Sequence, residues 1–205
     1  MPTIPTDAII PALATIADEV ILPRFRALHA GEIEEKSPGE LVTVADREAE
    51  IRIAAVLRAL RPDATVIGEE AVANHPGLLD ALKADGACWL IDPLDGTQNF
   101  VEGRTTFAVM VALVEAGETV ASWMWRPLER IAYVAERGSG AFRNGERQRV
   151  PAAPPGLASI RGTVDDPAGR PAADATATPL HEMRGAVLGR FLSPAQRAAV
   201  AEIAP

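Results

Sequence analysis

Residues 89–100 read WLIDPLDGTQNF, and the overlapping run ACWLI at 87–91 has the length and composition of a buried strand. The run stops at Asp92. Pro93 fixes a turn, Gly96 permits an unusual φ, and Thr97 is placed to cap a short helical turn. Asp92 and Asp95 can therefore converge on one point while the backbone N–H groups of Gly96 and Thr97 aim at another. The first point suits a cation and the second a phosphate. A second apolar run, ATVIG at 64–68, ends on Glu69 and Glu70. Two buried strands that deliver acids at one end bring those acids together at the edge of a sheet.

Upstream, Ile9, Leu13, Ile16 and Val20 recur at helical spacing and predict a first helix over 6–29, kinked or ended by Pro23. GEIEEKSPGE at 31–40 reads as a polar loop. A second helix is expected over about 46–60, with Thr43 or Asp46 as its cap and Ile51, Ala54, Ala55 and Leu57 as its buried stripe. Downstream, FAVMVALVE, ETVASWMW, RIAYVAE and GAFRNGERQRV are strand candidates separated by turn signals at Ala116-Gly117, Pro127-Leu128 and Asn144-Gly145. Residues 1–150 thus read as one α+β domain, an antiparallel meander backed by two helices.

Beyond 150 the character changes. The stretch 151–179 holds six prolines in 29 residues and reads as a linker with one embedded strand, LASIRGTV. RGAVLGRFL at 184–192 is a further strand candidate, and Ser193-Pro194 would open a helix running to Ala204. Residues 151–205 are therefore expected to be a linker and the beginning of a second α/β domain.

The composition of the 205 residues, 48% hydrophobic and 23% charged, is that of a globular protein, and a net charge of −8 argues against a general nucleic-acid binder. Cys88 is the only cysteine, so neither an intrachain disulfide nor a cysteine zinc cluster can form. The first residues lack the pattern of a signal peptide, no run of about 18 apolar residues occurs, and a cytoplasmic location is expected. Lysine occurs only at Lys36 and Lys83. His29, His75 and His181 fall in no motif.

Several clustered carboxylates need protons or metal. Two like charges about 4 Å apart cost on the order of 4 kcal/mol at an effective dielectric near 20. The candidate donors are all oxygens, which selects a hard ion such as Mg²⁺ over zinc. The chemistry this suggests is metal-assisted hydrolysis of a phosphate ester. Taken singly, each element has a plainer reading: Glu69-Glu70 as a solvated turn, DPLDGT as an Asx-Pro turn, Asp46 as a helix cap.

Together, LVTVAD at 41–46, GEE at 68–70 and WLIDPLDGTQNF at 89–100 resemble the signature of the inositol monophosphatase family, within the lithium-sensitive, magnesium-dependent phosphatases. The resemblance runs from the first helix to the GAFRNG hairpin and implies a layered αβαβα sugar-phosphatase-type sandwich. It implies that Glu69 ligates a first Mg²⁺ and polarises the attacking water, that Asp92 bridges two metals, that Leu94 lends its carbonyl and that Asp95 holds the second metal. Thr97, hydrogen-bonded to Asp46, would orient the water, and the amides of Gly96 and Thr97 would receive the phosphate. Glu70 and Lys36 would stand just behind these groups. Direct in-line attack by water, with no phosphoenzyme, is the mechanism implied.

The chain also departs from the family. A later W-D-x-A-(A/G)-G segment that supplies another aspartate and the substrate pocket has no counterpart, since no Trp follows Trp125; Asp165-Asp166 reads as a solvated turn. The implied substrate is a small phosphate monoester, inositol 1-phosphate by default, with histidinol phosphate or 3′-phosphoadenosine 5′-phosphate as alternatives. A truncated or degenerate member that binds metal, phosphate or a partner subunit with little turnover is the competing expectation. A homodimer is expected from the resemblance. Trp123 and Trp125 share one strand face, where sheet–helix packing or a dimer contact would place them, and Cys88 reads as packing.

Overall fold

The computed structural model describes residues 6–83, 85–149, 161–162 and 178–179. The chain divides into two compact units, residues 1–149 and 150–205. In the first, α1 (Thr6–Ile16) continues through a π turn at Ala17–Ile21 and a 3₁₀ turn at Leu22–Arg24 that contains Pro23. Residues read as a polar loop instead form a hairpin, β1 (Ile33–Ser37) with β2 (Glu40–Thr43), around Gly39 at φ 82°. The Pro38-Gly39 turn is a hairpin signal that the high charge of the flanking residues masks.

Next, α2 (Val44–Leu60) starts two residues earlier than expected. Thr43 is its cap: its hydroxyl accepts from Ala45 N–H, while Asp46 sits at the third helical position and closes a capping box. The buried face is Ala45, Asp46, Ala49, Ile53, Ala54 and Leu57. Of the expected stripe, Ile51 is 70% exposed and Ala55 is exposed as well. Ala45, Ala49, Ile53 and Leu57 follow one another at helical spacing on this face, which turns Ile51 outward.

A seven-stranded sheet comes next, in the spatial order β3 (Thr65–Gly68), β4 (Ala87–Asp95), β5 (Ala108–Glu115), β6 (Glu118–Arg126), β7 (Ile131–Glu136), β8 (Gly140–Arg143) and β9 (Glu146–Gln148). Only β3 and β4 pair in parallel, and every other neighbouring pair is antiparallel. Between β3 and β4 lie α3 (Glu69–Asn74) and a 3₁₀ segment at Pro76–Lys83; α4 (Thr97–Val101) comes after β4. The hairpin turns at Ala116-Gly117 and Asn144-Gly145 have positive φ at both residues, as primed turns require. This is the α+β architecture, helices on a mostly antiparallel sheet, that the sequence predicted.

Strand alternation sorts the core. Trp89, Ile91, Val109, Val111, Leu113, Ala121, Trp123 and Trp125 are buried in one cluster with the apolar stripes of α1 and α2. Trp89 and Trp123 pack with ring centroids 5.7 Å apart, and Trp123 and Trp125 of β6 lie in the cluster that contains the buried residues of α1 and α2. On the opposite face Cys88, Ile67 and Val114 form a smaller cluster against Leu78 and Leu82, which confirms Cys88 as a packing residue.

In the second unit, β10 (Arg161–Gly162) pairs antiparallel with β11 (Thr178–Pro179). Arg161 and Gly162 fall in the LASIRGTV strand candidate; the expected strand at 184–192 and the helix at 193–204 lie outside the described residues. No described helix is long and apolar enough to cross a membrane.

Candidate active site

The C-terminal ends of the parallel strands β3 and β4 lie side by side, with Gly68 opposite Ile91. Both ends carry acids: Glu69 and Glu70 open α3, while Asp92, Leu94 and Asp95 occupy the end of β4, where its register with β5 slips between Asp92 and Asp95. That bulge releases DPLD from regular pairing so that both carboxylates emerge near one edge. Gly96 then adopts φ 85°, ψ 37°, and a Cβ there would sit 2.9 Å from Thr106 O, so both conformation and space require glycine.

Aromatic packing anchors the helical turn that bears Thr97. Phe100 is fully buried, edge-on to Phe107 at 5.2 Å, and Phe25 lies 5.7 and 5.2 Å from the two rings. Asn99 Nδ2 donates to Thr106 O at 2.8 Å and holds the returning chain beside it.

Two groups of functional candidates result. In the first, Thr97 Oγ1 lies 3.0 Å from both Asp46 Oδ1 and Leu94 O, and one hydroxyl proton can serve only one of them at a time. Asp46 is 1% exposed, and its Oδ2 accepts from Thr43 N at 2.8 Å and Thr43 Oγ1 at 2.6 Å. Burial raises the Asp46 pKa, against the lowering effect of these hydrogen bonds. In the second, Lys36 Nζ donates to Glu69 Oε1 at 2.9 Å and to Glu70 Oε1 at 2.7 Å. Burial opposes the Lys36 charge, yet the two carboxylates outweigh it and raise its pKa; Glu70, itself buried, is raised despite Lys36.

Asp92 Oδ1 accepts from Leu94 N at 3.2 Å. Its pKa is pushed up to about 8 by burial first, then by the charges of Glu69 and Asp95. Asp95 is raised by partial burial and by Glu69. Among the described residues no three His, Cys, Asp or Glu side chains close into a ready cage for an ion. The donors nonetheless fit a hard cation: Glu69, Asp92 and Asp95 are carboxylate oxygens, and burial together with the charges of Glu69 and Asp95 disfavours the ionised form of Asp92, a repulsion that a divalent cation would relieve.

One contributor escaped the sequence reading. Glu50, four residues after Asp46 on α2, accepts hydrogen bonds from Glu70 N at 2.7 Å and Ala71 N at 3.0 Å. Its i, i+4 spacing from Asp46 and the glycine before Glu69 were the available signals.

Residues 5–183 match the inositol monophosphatase family, and the chain belongs to that family. Over 117 residues it is 43% identical to an inositol-1-monophosphatase of Rhizobium meliloti, covering 56% of this chain and 41% of the relative. Over 127 residues it is 39% identical to a fructose-1,6-bisphosphatase/inositol-1-monophosphatase of Thermotoga maritima, covering 60% of this chain and 46% of the relative. Among solved structures, the Thermotoga maritima IMPase superposes with a TM-score of 0.60 at 34% identity, covering 72% of this chain and 54% of that one. The matched stretch therefore spans less than half of these curated relatives.

Proposed function

We propose that the chain is a Mg²⁺-dependent phosphomonoesterase acting on a small polyol or sugar phosphate such as inositol monophosphate. Family membership supports the reaction class, and the names of the Rhizobium and Thermotoga relatives support the substrate class. The observation that carries the reading is the Asp46–Thr97–Leu94 hydrogen-bond array set beside three mutually repelling acids.

Glu69, Asp92, Asp95 and the Leu94 carbonyl would hold the metal. Mg²⁺, when bound, supplies the charge that draws in a phosphate dianion and acidifies water. Asp46 accepts the Thr97 hydroxyl proton, which leaves the Thr97 oxygen lone pairs free to accept from the attacking water and orient it. The Gly96 and Thr97 amides, at the opening of α4 where Gly96 is left-handed, would receive the phosphate oxygens. Lys36 holds the Glu69 and Glu70 carboxylates in place through its two hydrogen bonds. Residues 1–150 would form the metal- and phosphate-binding domain.

Phosphate release from a panel of inositol 1-phosphate, histidinol phosphate and 3′-phosphoadenosine 5′-phosphate, with and without Mg²⁺, tests the proposal. Inhibition by Li⁺ and a dimer in sedimentation accompany it. Loss of turnover in Asp95→Asn supports the assignment, and full activity in that variant overturns it.

A further inference from the structure

We propose that Glu50 is a positioning residue that sets the Glu69-Glu70 turn against Lys36 and the acids of β4, with Gly68 kept side-chain-free to admit it. The proposal rests on the metal-binding reading above for its consequence, though not for its geometry.

Helix α3 opens on Gly68, which has no side chain to cap the exposed amides, and no side-chain cap is made by the helix itself. Glu50 supplies the cap from another helix. Its two carboxylate oxygens divide the work, Oε2 accepting from Glu70 N at 2.7 Å and Oε1 from Ala71 N at 3.0 Å. A Cβ on Gly68 would overlap this carboxylate, lying 2.5 Å from Oε1, so the glycine is required by Glu50 and not by its own backbone angle, φ −101°. The location is costly for a carboxylate. It is half-buried and adds a further negative group beside Glu69, where a serine or aspartate at 68 would cap the helix locally.

The benefit lies in the spacing along α2. Asp46 and Glu50 are one turn apart, and each holds the segment after a different strand: Asp46 binds Thr97 after β4, and Glu50 binds the amides of Glu70 and Ala71 after β3. One rigid helix thereby fixes the distance between the two acid-bearing turns. Glu69 and Glu70, held at their backbone from one side, meet Lys36 Nζ on the other.

The protein has only two lysines, and Lys83 pairs at the surface with Asp80, far along the chain from this contact. Lysine-selective ¹⁵Nζ labelling thus yields one reporter for the site and one internal control. The experiment compares Glu50→Gln, Gly68→Ala, Glu50→Ala and the double variant Glu50→Ala/Gly68→Ala in the 205-residue chain. Glu50→Gln keeps the volume and one acceptor but turns an NH₂ toward an amide; Gly68→Ala displaces the carboxylate and leaves every charge in place. Both are expected to shift the Lys36 Nζ signal, leave that of Lys83 unmoved, and weaken Mg²⁺ binding by about 10–100-fold, the range for groups that orient metal ligands. Gly68→Ala is expected to add nothing in the Glu50→Ala background. An unmoved Lys36 signal in folded Glu50→Gln and Gly68→Ala, or an additive double variant, overturns the proposal. If the wild type binds no Mg²⁺, the functional reading fails, while the Lys36 signal still decides the role of Glu50.

Discussion

Thr97 Oγ1 and Asp46 Oδ1, 51 residues apart in sequence, lie 3.0 Å from each other and join the turn after β4 to the first turn of α2. The contact is possible because Asp46 is already fixed by Thr43, so its second oxygen reaches Thr97 with no rotamer freedom left to lose.

Thr97→Val keeps the shape but removes the hydroxyl, and turnover is expected to fall by about 10²–10⁴, the range for a group that positions or exchanges a proton in the transition state. KM should change little by comparison. Steady-state kinetics on the two chains check this, and a change confined to KM contradicts the water-orienting role.

Thr43→Ala removes a helix cap and one of the donors to buried Asp46. Denaturant titration should show a loss of about 1–2 kcal/mol, largely recovered in Thr43→Ser.

The phase of α2 separates two isoleucines that composition alone cannot tell apart. Ile53 is 1% exposed and Ile51 70% exposed. Ile53→Ala should cost about 2–5 kcal/mol, and Ile51→Lys should stay within about 0.5 kcal/mol of the parent.

Stability of the metal-free chain should decline as pH rises. The folded-state pKa of Asp92 is raised to about 8, and those of Asp46, Glu50, Glu70 and Asp95 are also raised. Between about pH 4 and 8 the native state holds protons that the unfolded chain has released, so stability is greatest at the acid side of that window and is lost as pH climbs through it. The lowered groups, Glu34, Glu48 and Glu118, act in the opposite sense only below about pH 4.5. Calorimetry in a chelator should show a falling midpoint from pH 5 to 8, with stability lost by about 1 kcal/mol or less per pH unit because Asp92, the most strongly shifted group, is only partly buried. Adding Mg²⁺ at pH 8 should restore it; a midpoint that rises toward pH 8 in chelator contradicts the acid cluster.

The meander was legible because its signals are local: alternating apolar residues within each strand, and Ala116-Gly117 and Asn144-Gly145 at the turns. The β1–β2 hairpin was not, since charged Glu34, Glu35 and Lys36 hide a strand whose pairing depends on Pro38-Gly39. Ile51 was misplaced because the buried face runs through Ala45, Ala49, Ile53 and Leu57, where small alanines mark the core less visibly than the isoleucine beside them. The site showed the same division. Asp92, Asp95, Gly96 and Thr97 lie in one contiguous turn whose chemistry is visible in order, whereas Glu50 acts only through a glycine and two backbone amides 18 to 21 residues away.

The most direct test of the phosphatase reading is the release of inorganic phosphate from inositol 1-phosphate by this 205-residue chain, measured with Mg²⁺, with chelator, and in Asp95→Asn. The account predicts release only by the parent chain and only with Mg²⁺. Release that persists in chelator, or is undiminished in Asp95→Asn, would contradict it.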